Sequence, residues 1–294
     1  MNNKLKKNGT AFDALNAIIL GVLALIALFP FYNVLIISLA KYEVITDSFI
    51  YLLPASIDFT AYKYIITEKK FLNAFLVSSF VTVFGVAFNM TLSVVGAYGL
   101  SKKKIPGRNF FLGAILFTMF FNGGLIPYYL VVNGLGLVNN ILVMIIPNGI
   151  ATMYLIIMKN YFATIPESME ESAKIDGAND LYILWKIIIP ISAPFIATFA
   201  LFYAVDRWNE WWNALIFINE SNKAPLQIFL REILIVFNDQ IGTMGAAIRD
   251  SKTKVYMQGV QMAAIVVTAL PIICIYPFLQ KHFVSGIMIG SIKE

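Results

Sequence analysis

Six stretches of the chain, at about 14–40, 71–100, 109–131, 139–158, 191–216 and 256–280, stay apolar for twenty residues or more with few charges among them. A helix needs about 20 such residues to cross a hydrocarbon core of about 30 Å. Composition agrees: 59% of the 294 residues are hydrophobic and 13% are charged, where soluble domains carry about 25%. The expectation is an all-α polytopic membrane protein, a single domain over 1–294 with six transmembrane helices. Pro30, Pro127, Pro147, Pro194, Pro271 and Pro277 fall in or beside these runs. Membrane helices tolerate them because neighbouring groups and water satisfy the freed backbone.

Other residues narrow the function. A single cysteine, Cys274, excludes an intrachain disulfide and a CxxC metal site. A single histidine, His282, excludes multi-histidine metal motifs and reads as an interfacial residue at a helix end. There is no GxxxxGK[ST] loop, no HExxH and no GxSxG, so neither ATP hydrolysis nor hydrolase chemistry is expected of this chain. The run 14–40 follows Lys4, Lys6 and Lys7 but is too long for a signal-peptide core, and reads as a retained first span. The net charge of +5 reports topology rather than nucleic-acid binding.

Six spans place both termini on one side. That side carries twelve Lys and Arg: three in the N-terminal tail, four in "SKKKIPGR" (Lys102, Lys103, Lys104, Arg108), three in 159–190 and two in the C-terminal tail. The other side carries nine, in the long loops 41–70 and 217–255. Short, densely basic loops obey the positive-inside rule best, so both termini and 159–190 are expected in the cytoplasm and the two long loops outside.

Segment 159–190 holds five acids and three bases and is too short to span twice. Thr164 and Glu167 have capping-box spacing, Pro166 suits a first turn, and Glu170 and Lys174 stand at i,i+4. Ile165, Met169 and Ala173 make an apolar stripe. Gly177 suits a positive-φ helix end, and Asn179 or Asp180 suits the cap of a second helix closed by Pro190. Two short helices with a glycine elbow are expected. Small Ala173 and Ala178 beside it would admit another protein's backbone. Lying on lipid is the other reading, but anionic headgroups repel an acidic helix, which favours docking into a protein groove.

"ESAKIDGANDLYILWKIIIP", residues 171–190, closely resembles the EAA loop of ABC-importer permeases: Glu-Ala-Ala, three residues, Gly, nine residues, Ile, one residue, Leu-Pro. Glu171, Ser172, Ala173, Gly177, Ile187, Ile189 and Pro190 match in spacing, with Ser172 for Ala and Ile189 for Leu as departures; Asp176, Ala178 and Pro194 fit an extended pattern. "KKKIPGR", "GLGLVNN" and "DRWNEWWNALIF" extend the resemblance over about 10–294 to the maltose-permease type, in its LplC/YtcP-like carbohydrate branch. The resemblance implies half of a heterodimeric pore in the bacterial cell membrane. Its implied partners are a second, related permease, two ABC ATPase subunits holding ATP and Mg, and an extracytoplasmic solute-binding protein. The implied cargo is an oligosaccharide, acidic or plant-polysaccharide-derived chains included. No cofactor or metal is implied on this chain. Glu171, Ser172, Ala173, Asp176, Gly177, Ala178, Ile187 and Pro190 become coupling candidates, with Glu171 meeting either a basic ATPase residue or Lys174 of its own helix.

Polar residues within apolar spans are functional candidates. Asp206, Arg207 and Glu210 in "YAVDRWNEWWNA" are too costly to face lipid, and Arg207 has i,i+3 spacing to Glu210. Trp208, Asn209 and Trp212 suit a sliding saccharide site, and the tryptophans, Trp211 above all, equally suit an interfacial belt. Asn89, Asn122 and Asn148 either line the pathway or bond a neighbouring helix. The outer segment 217–255 contains "LQIFLREILIVF", expected as a short helix near the surface, and is the candidate dock for the binding protein. A stand-alone secondary transporter, an ABC permease for another cargo and a membrane enzyme are the competing readings. The first predicts internal repeats and a midplane ionisable site; the last lacks a recognisable nucleophile, dyad or metal set.

Overall fold

A computed structural model describes residues 11–40, 57–243 and 257–291, with side chains of 12–40, 57–235 and 258–275. Lys4, Lys6, Lys7, parts of both long loops, the end of the C-terminal tail and the His282 side chain, all invoked above, lie outside the described residues. The described chain is mostly helical, and its one β contact is an isolated bridge between Ala40 and Ile57.

The chain divides into two compact units. One comprises Met1–Glu68 and Glu232–Ala269. It holds α1 (Ala11–Ser38), apolar on every side with Pro30 inside it, and α2 (Thr60–Thr67). The Asp58 carboxylate accepts from the Thr60 amide at 2.9 Å and its hydroxyl at 2.6 Å, which starts α2. The Ser38 and Tyr62 hydroxyls bond at 2.6 Å and tie α2 to α1.

The other unit comprises Lys69–Arg231 and Leu270–Glu294. Its axis is α3 (Lys69–Ser101). Ala74, Ser78, Val81, Gly85, Asn89, Ser93, Ala97 and Ser101 are all buried on α3. Steps of three and four put them on one stripe. Small and polar residues at that spacing let helices approach closely in a membrane. Against α3 pack α6 (Thr152–Phe162) and α10 (Ala193–Trp208).

Among the described residues, three helices are long and apolar enough to cross a membrane singly: Phe12–Ser38, Lys69–Ser101 and Gln258–Ile275 within α13 (Met257–Ser291). The other expected spans form differently. Run 109–131 becomes α4 (Arg108–Phe120) and α5 (Leu125–Gly134). Between them Gly124 takes φ +89° and gives its amide to the Asn122 side chain at 2.9 Å, so the helical ladder stops. Run 139–158 begins as a short 3-10 turn, Ile141–Met144, started by the Asn140 side chain. Helix resumes at α6 only after Pro147, Asn148 and Gly149. Run 191–216 is α10 followed by α11 (Trp212–Phe217). The helical, multi-span architecture is therefore present, and among the described residues three of the six expected runs are interrupted.

Candidate functional site

Segment 164–191 folds as two short helices and an elbow. The first is α7 (Glu167–Ile175). The expected capping box does not form: the Thr164 hydroxyl donates to the Tyr161 carbonyl at 2.7 Å, and Pro166 stands just before the helix rather than in its first turn. Of the three glutamates in α7, only Glu170 is buried. It does not pair with Lys174. Its Oε1 takes the Lys102 ammonium, which also sits 4.4 Å over the Tyr98 ring, while Oε2 lies 3.5 Å from the Tyr98 hydroxyl.

Gly177 adopts φ +83°. Its amide bonds the Lys174 carbonyl at 3.0 Å, and the Ala178 amide bonds the Ala173 carbonyl at 3.0 Å. These are the two bonds of a Schellman cap, whose first and last residues characteristically share an apolar contact. Ala173 and Ala178 accordingly pack on this unit's own core, against buried residues such as Tyr98, Leu155, Met158 and Ile183. Their small size serves that internal packing, and both stay partly exposed.

Across the elbow the Lys174 ammonium meets Asp180 at 2.7 Å. That hydrogen bond raises the Lys174 pKa. Both side chains are exposed, so the pair contributes little. Asn179, rather than Asp180, caps α8 (Asp180–Ile183) by accepting from the Tyr182 amide at 2.8 Å. A π-helical turn, Leu184–Ile188, leads into α9 (Ile189–Ile191). Pro190 does not end the path. The chain turns two residues later, at Ser192, where Asp180–Ile191 meets Ala193–Phe217 at 90°. Ile187 is partly buried on the same core, whereas Pro190 is exposed. On the outer face of α7 and its cap, Glu171, Ser172, Asp176 and Ile175 are exposed, Ile175 at 87%.

Farther along α3 lies a second polar cluster. Arg207, on the last turn of α10, is 4% exposed. Its Nε donates to Asn89 Oδ1 at 2.9 Å, one terminal nitrogen to the Met144 carbonyl at 2.5 Å, and the other to the Asn148 carbonyl. Glu210 lies 3.9 Å away at the expected i,i+3 spacing. Asn89 donates to the Asn148 and Gly149 carbonyls at 2.7 and 2.8 Å, and the Tyr203 hydroxyl accepts the Ala151 amide at 3.0 Å. Backbone outside a helix at membrane depth needs such partners. Arg207 and Asn89 therefore serve the broken 141–151 stretch, and both are turned inward.

The neighbours of Arg207 divide. Asp206 is exposed and accepts from the Tyr154 hydroxyl at 3.1 Å. Asn209 is exposed, bonded to the Val205 carbonyl and to Gln227. Glu210 turns inward and accepts from the Asn213 amide at 2.9 Å, which starts α11. Trp208 is buried edge-on to Phe75, whereas Trp211 and Trp212 are exposed. Asn122 is exposed beside its own turn.

A third node ties residues 139 and 217–223. Asn139, at φ +56°, accepts the Asn219 and Glu220 amides, donates to the Glu220 carboxylate at 2.5 Å, and presents its carbonyl to Lys223. Lys223 and then Asn139 hold the Glu220 pKa down. α12 (Leu226–Thr243) follows. It is a helix as expected, but its start is packed rather than superficial: Leu226 is buried with its amide on Ser78, and Phe229 rests on Phe71.

Tyr98, Tyr154, Tyr203 and Asn213 were not singled out from the sequence, and Lys102 entered only as one of four loop bases. The usable signal lay in pairing requirements. A Pro-Asn-Gly break in an apolar run needs donors for its carbonyls, and a lone buried arginine supplies them.

No family model matches the chain. It is 42% identical over 287 residues to protein LplC of Bacillus subtilis, covering 98% of this chain and 96% of that one. It is 44% identical over 282 residues to the polygalacturonan/rhamnogalacturonan transport system permease protein YtcP of the same species, covering 96% and 98%. A crystal structure of a bacterial ABC transporter that imports the acidic polysaccharide alginate contains a chain that superposes with a TM-score of 0.86 at 38% identity, over 94% of this chain and 98% of that one. Full-length matches of this kind, together with the helical elbow at 167–191, make the chain a membrane permease subunit rather than an enzyme, and it belongs to the carbohydrate branch of the ABC-transporter permeases.

Proposed function

We propose that the chain forms half of an importer's translocation pathway for an oligosaccharide carrying acidic residues. It pairs with a second, related permease, receives cargo from a solute-binding protein outside the cell, and couples through 167–190 to two ATPase subunits. ATP and Mg reside on those subunits, and this chain holds no cofactor. The polypeptide crosses the membrane six times, three crossings being built from broken helices, with both termini in the cytoplasm.

The observation that carries this reading is the face of α7. An acidic helix held to the core on one side presents Ile175 at 87% exposure beside Glu171 and Ser172 on the other. An apolar side chain so exposed at a rigid cap suits a protein groove. Glu171 has no partner in its own helix, because Lys174 is taken by Asp180, so its carboxylate is left for a basic residue of the ATPase. Acidic cargo is supported by two relatives, a polygalacturonan/rhamnogalacturonan system permease and an alginate importer. Among the pathway candidates, exposed Asp206, Asn209 and Trp212 line the route. Inward Asn89, Arg207, Trp208 and Glu210 support it from behind, and Asn122 shapes the turn in the third crossing. The segment after Phe217, anchored by Asn139, receives the binding protein.

The test is reconstitution with the second permease, both ATPase subunits and the binding protein. Uronate oligosaccharides are expected to raise ATP hydrolysis and accumulate inside vesicles, neutral ones much less. Uptake driven by a proton gradient without ATPase subunits would instead establish a secondary transporter.

A further inference from the structure

Glu170 precedes the glutamate of the Glu-Ser-Ala pattern, yet it is the buried acid of α7. Its carboxylate joins the middle of that helix to Lys102, the first residue beyond α3, across 68 positions of sequence. The Tyr98 ring and hydroxyl complete the contact, and Tyr98 is itself packed edge-on to Phe162 of α6. The other inward contacts of this segment are apolar: Ala173 and Ala178 at the elbow, and Ile183, Leu184 and Ile188 beyond it. Apolar contacts are non-directional and permit sliding. A charge pair with one partner buried does not, because separating it strands the Glu170 carboxylate in a poorly solvating site while Lys102 swings to the surface.

We infer that the Lys102–Glu170 pair is the internal linchpin of coupling. It makes α7 and α3 move as one body, so that a displacement of 167–190 reaches α3 directly as well as α10 through the Ser192 bend. Both are positioning residues and touch neither cargo nor ATP. The inference rests on α7 being the element that docks on the ATPase.

The experiment measures cargo accumulated per ATP hydrolysed by the reconstituted transporter. It compares Glu170→Gln, Lys102→Met, Lys102→Glu, Glu170→Lys and the double reversal. Each single change is expected to lower that ratio about tenfold, within the usual range of coupling between sites, while the complex still co-purifies with its ATPase subunits. The double reversal is expected to return the ratio to within about threefold of the parent, as for two residues whose effects are not additive. Single variants with the parental ratio overturn the inference, as does a double reversal no better than its parts. Failure of every variant to assemble, Glu170→Gln included, assigns the pair to folding alone and also overturns it. The underlying reading is checked separately with Ile175→Cys in a Cys274→Ser background. Absence of any cross-link from position 175 to the ATPase sinks the docking itself, whereas a cross-link with unchanged ratios sinks only the linchpin.

Discussion

Arg207 has its side-chain donors directed at Asn89, Met144 and Asn148, with Glu210 nearby as counter-charge. Gly85 leaves room for its stem, since a Cβ there would lie 2.9 Å from Arg207 Cδ. Arg207→Met would leave the Met144 carbonyl and Asn89 Oδ1 without the donor Arg207 gives them, and a mostly buried Glu210 without its cation. Breaking a buried pair from one side costs about 3–5 kcal/mol. At about 2–4 °C per kcal/mol, the melting midpoint of the purified complex should fall by roughly 10 °C. An unchanged midpoint would show that the carbonyls find other donors. Only the i,i+3 relation of Arg207 to Glu210 was legible in the sequence. The remainder joins residues 59 to 118 positions apart, and no local spacing encodes that.

Gly177 is the opposite case, because its positive φ was legible from its place after a helix. A Cβ at Gly177 would meet nothing within 4 Å, so any cost of replacement is backbone strain alone. Asparagine tolerates the left-handed region and a β-branched residue does not. Gly177→Asn should keep most of the transport activity, and Gly177→Val should abolish it while the protein remains in the membrane. Cargo-stimulated ATP turnover in the assembled complex reads the difference. Equal loss in both would point to a partner that needs the bare glycine surface.

Among the elements, the two helices and elbow of the coupling segment were legible, but their ion pairs were not. The sequence favours Glu170 with Lys174 at i,i+4, a surface pairing worth about 0.2–0.5 kcal/mol. Burial of Glu170 on α3 outweighs it, and Lys174 crosses the elbow to Asp180 instead. This sets a pH dependence. A raised lysine pKa contributes stability that is complete below the unfolded value of about 10.4 and is lost as pH rises through the folded value. Glu220 behaves inversely. Its lowered pKa contributes above the unfolded value of about 4.3 and is lost as pH falls through the folded one. Between about pH 6 and 9 neither group changes charge. The difference in melting midpoint between parent and Lys174→Met should stay constant over that window and close only in stronger alkali. A difference that varies near neutrality would mean another group controls the elbow. The third and fourth apolar runs were misread as continuous helices because hydropathy does not distinguish a helix from a packed turn. The breaks were marked in residues 121–124 and 147–149 by glycine, asparagine and proline.

At the scale of the whole molecule, the permease family was legible from the elbow pattern, whereas the proposed sidedness rests on the charge count. Within the larger unit, α3 is 33 residues long, about 50 Å at 1.5 Å per residue, enough to cross the membrane. Lys102 beyond its Ser101 end holds α7, and Asn73 near its Lys69 end bonds the Asn222 carbonyl at 2.7 Å. Loops 102–108 and 159–190 therefore share one end of this helix, and the 217–223 segment marks the other. By the positive-inside rule, the four bases of Lys102, Lys103, Lys104 and Arg108 support the proposed cytoplasmic placement of the Ser101 end. With Cys274 replaced by Ser as the background, Ser221→Cys and Lys103→Cys each provide a single thiol. A membrane-impermeant maleimide should label position 221 in intact cells and position 103 only after permeabilisation. The reverse pattern would invert the topology, put α7 outside the cell, and remove it from reach of any ATPase. Labelling of both in intact cells would mean that α3 does not cross.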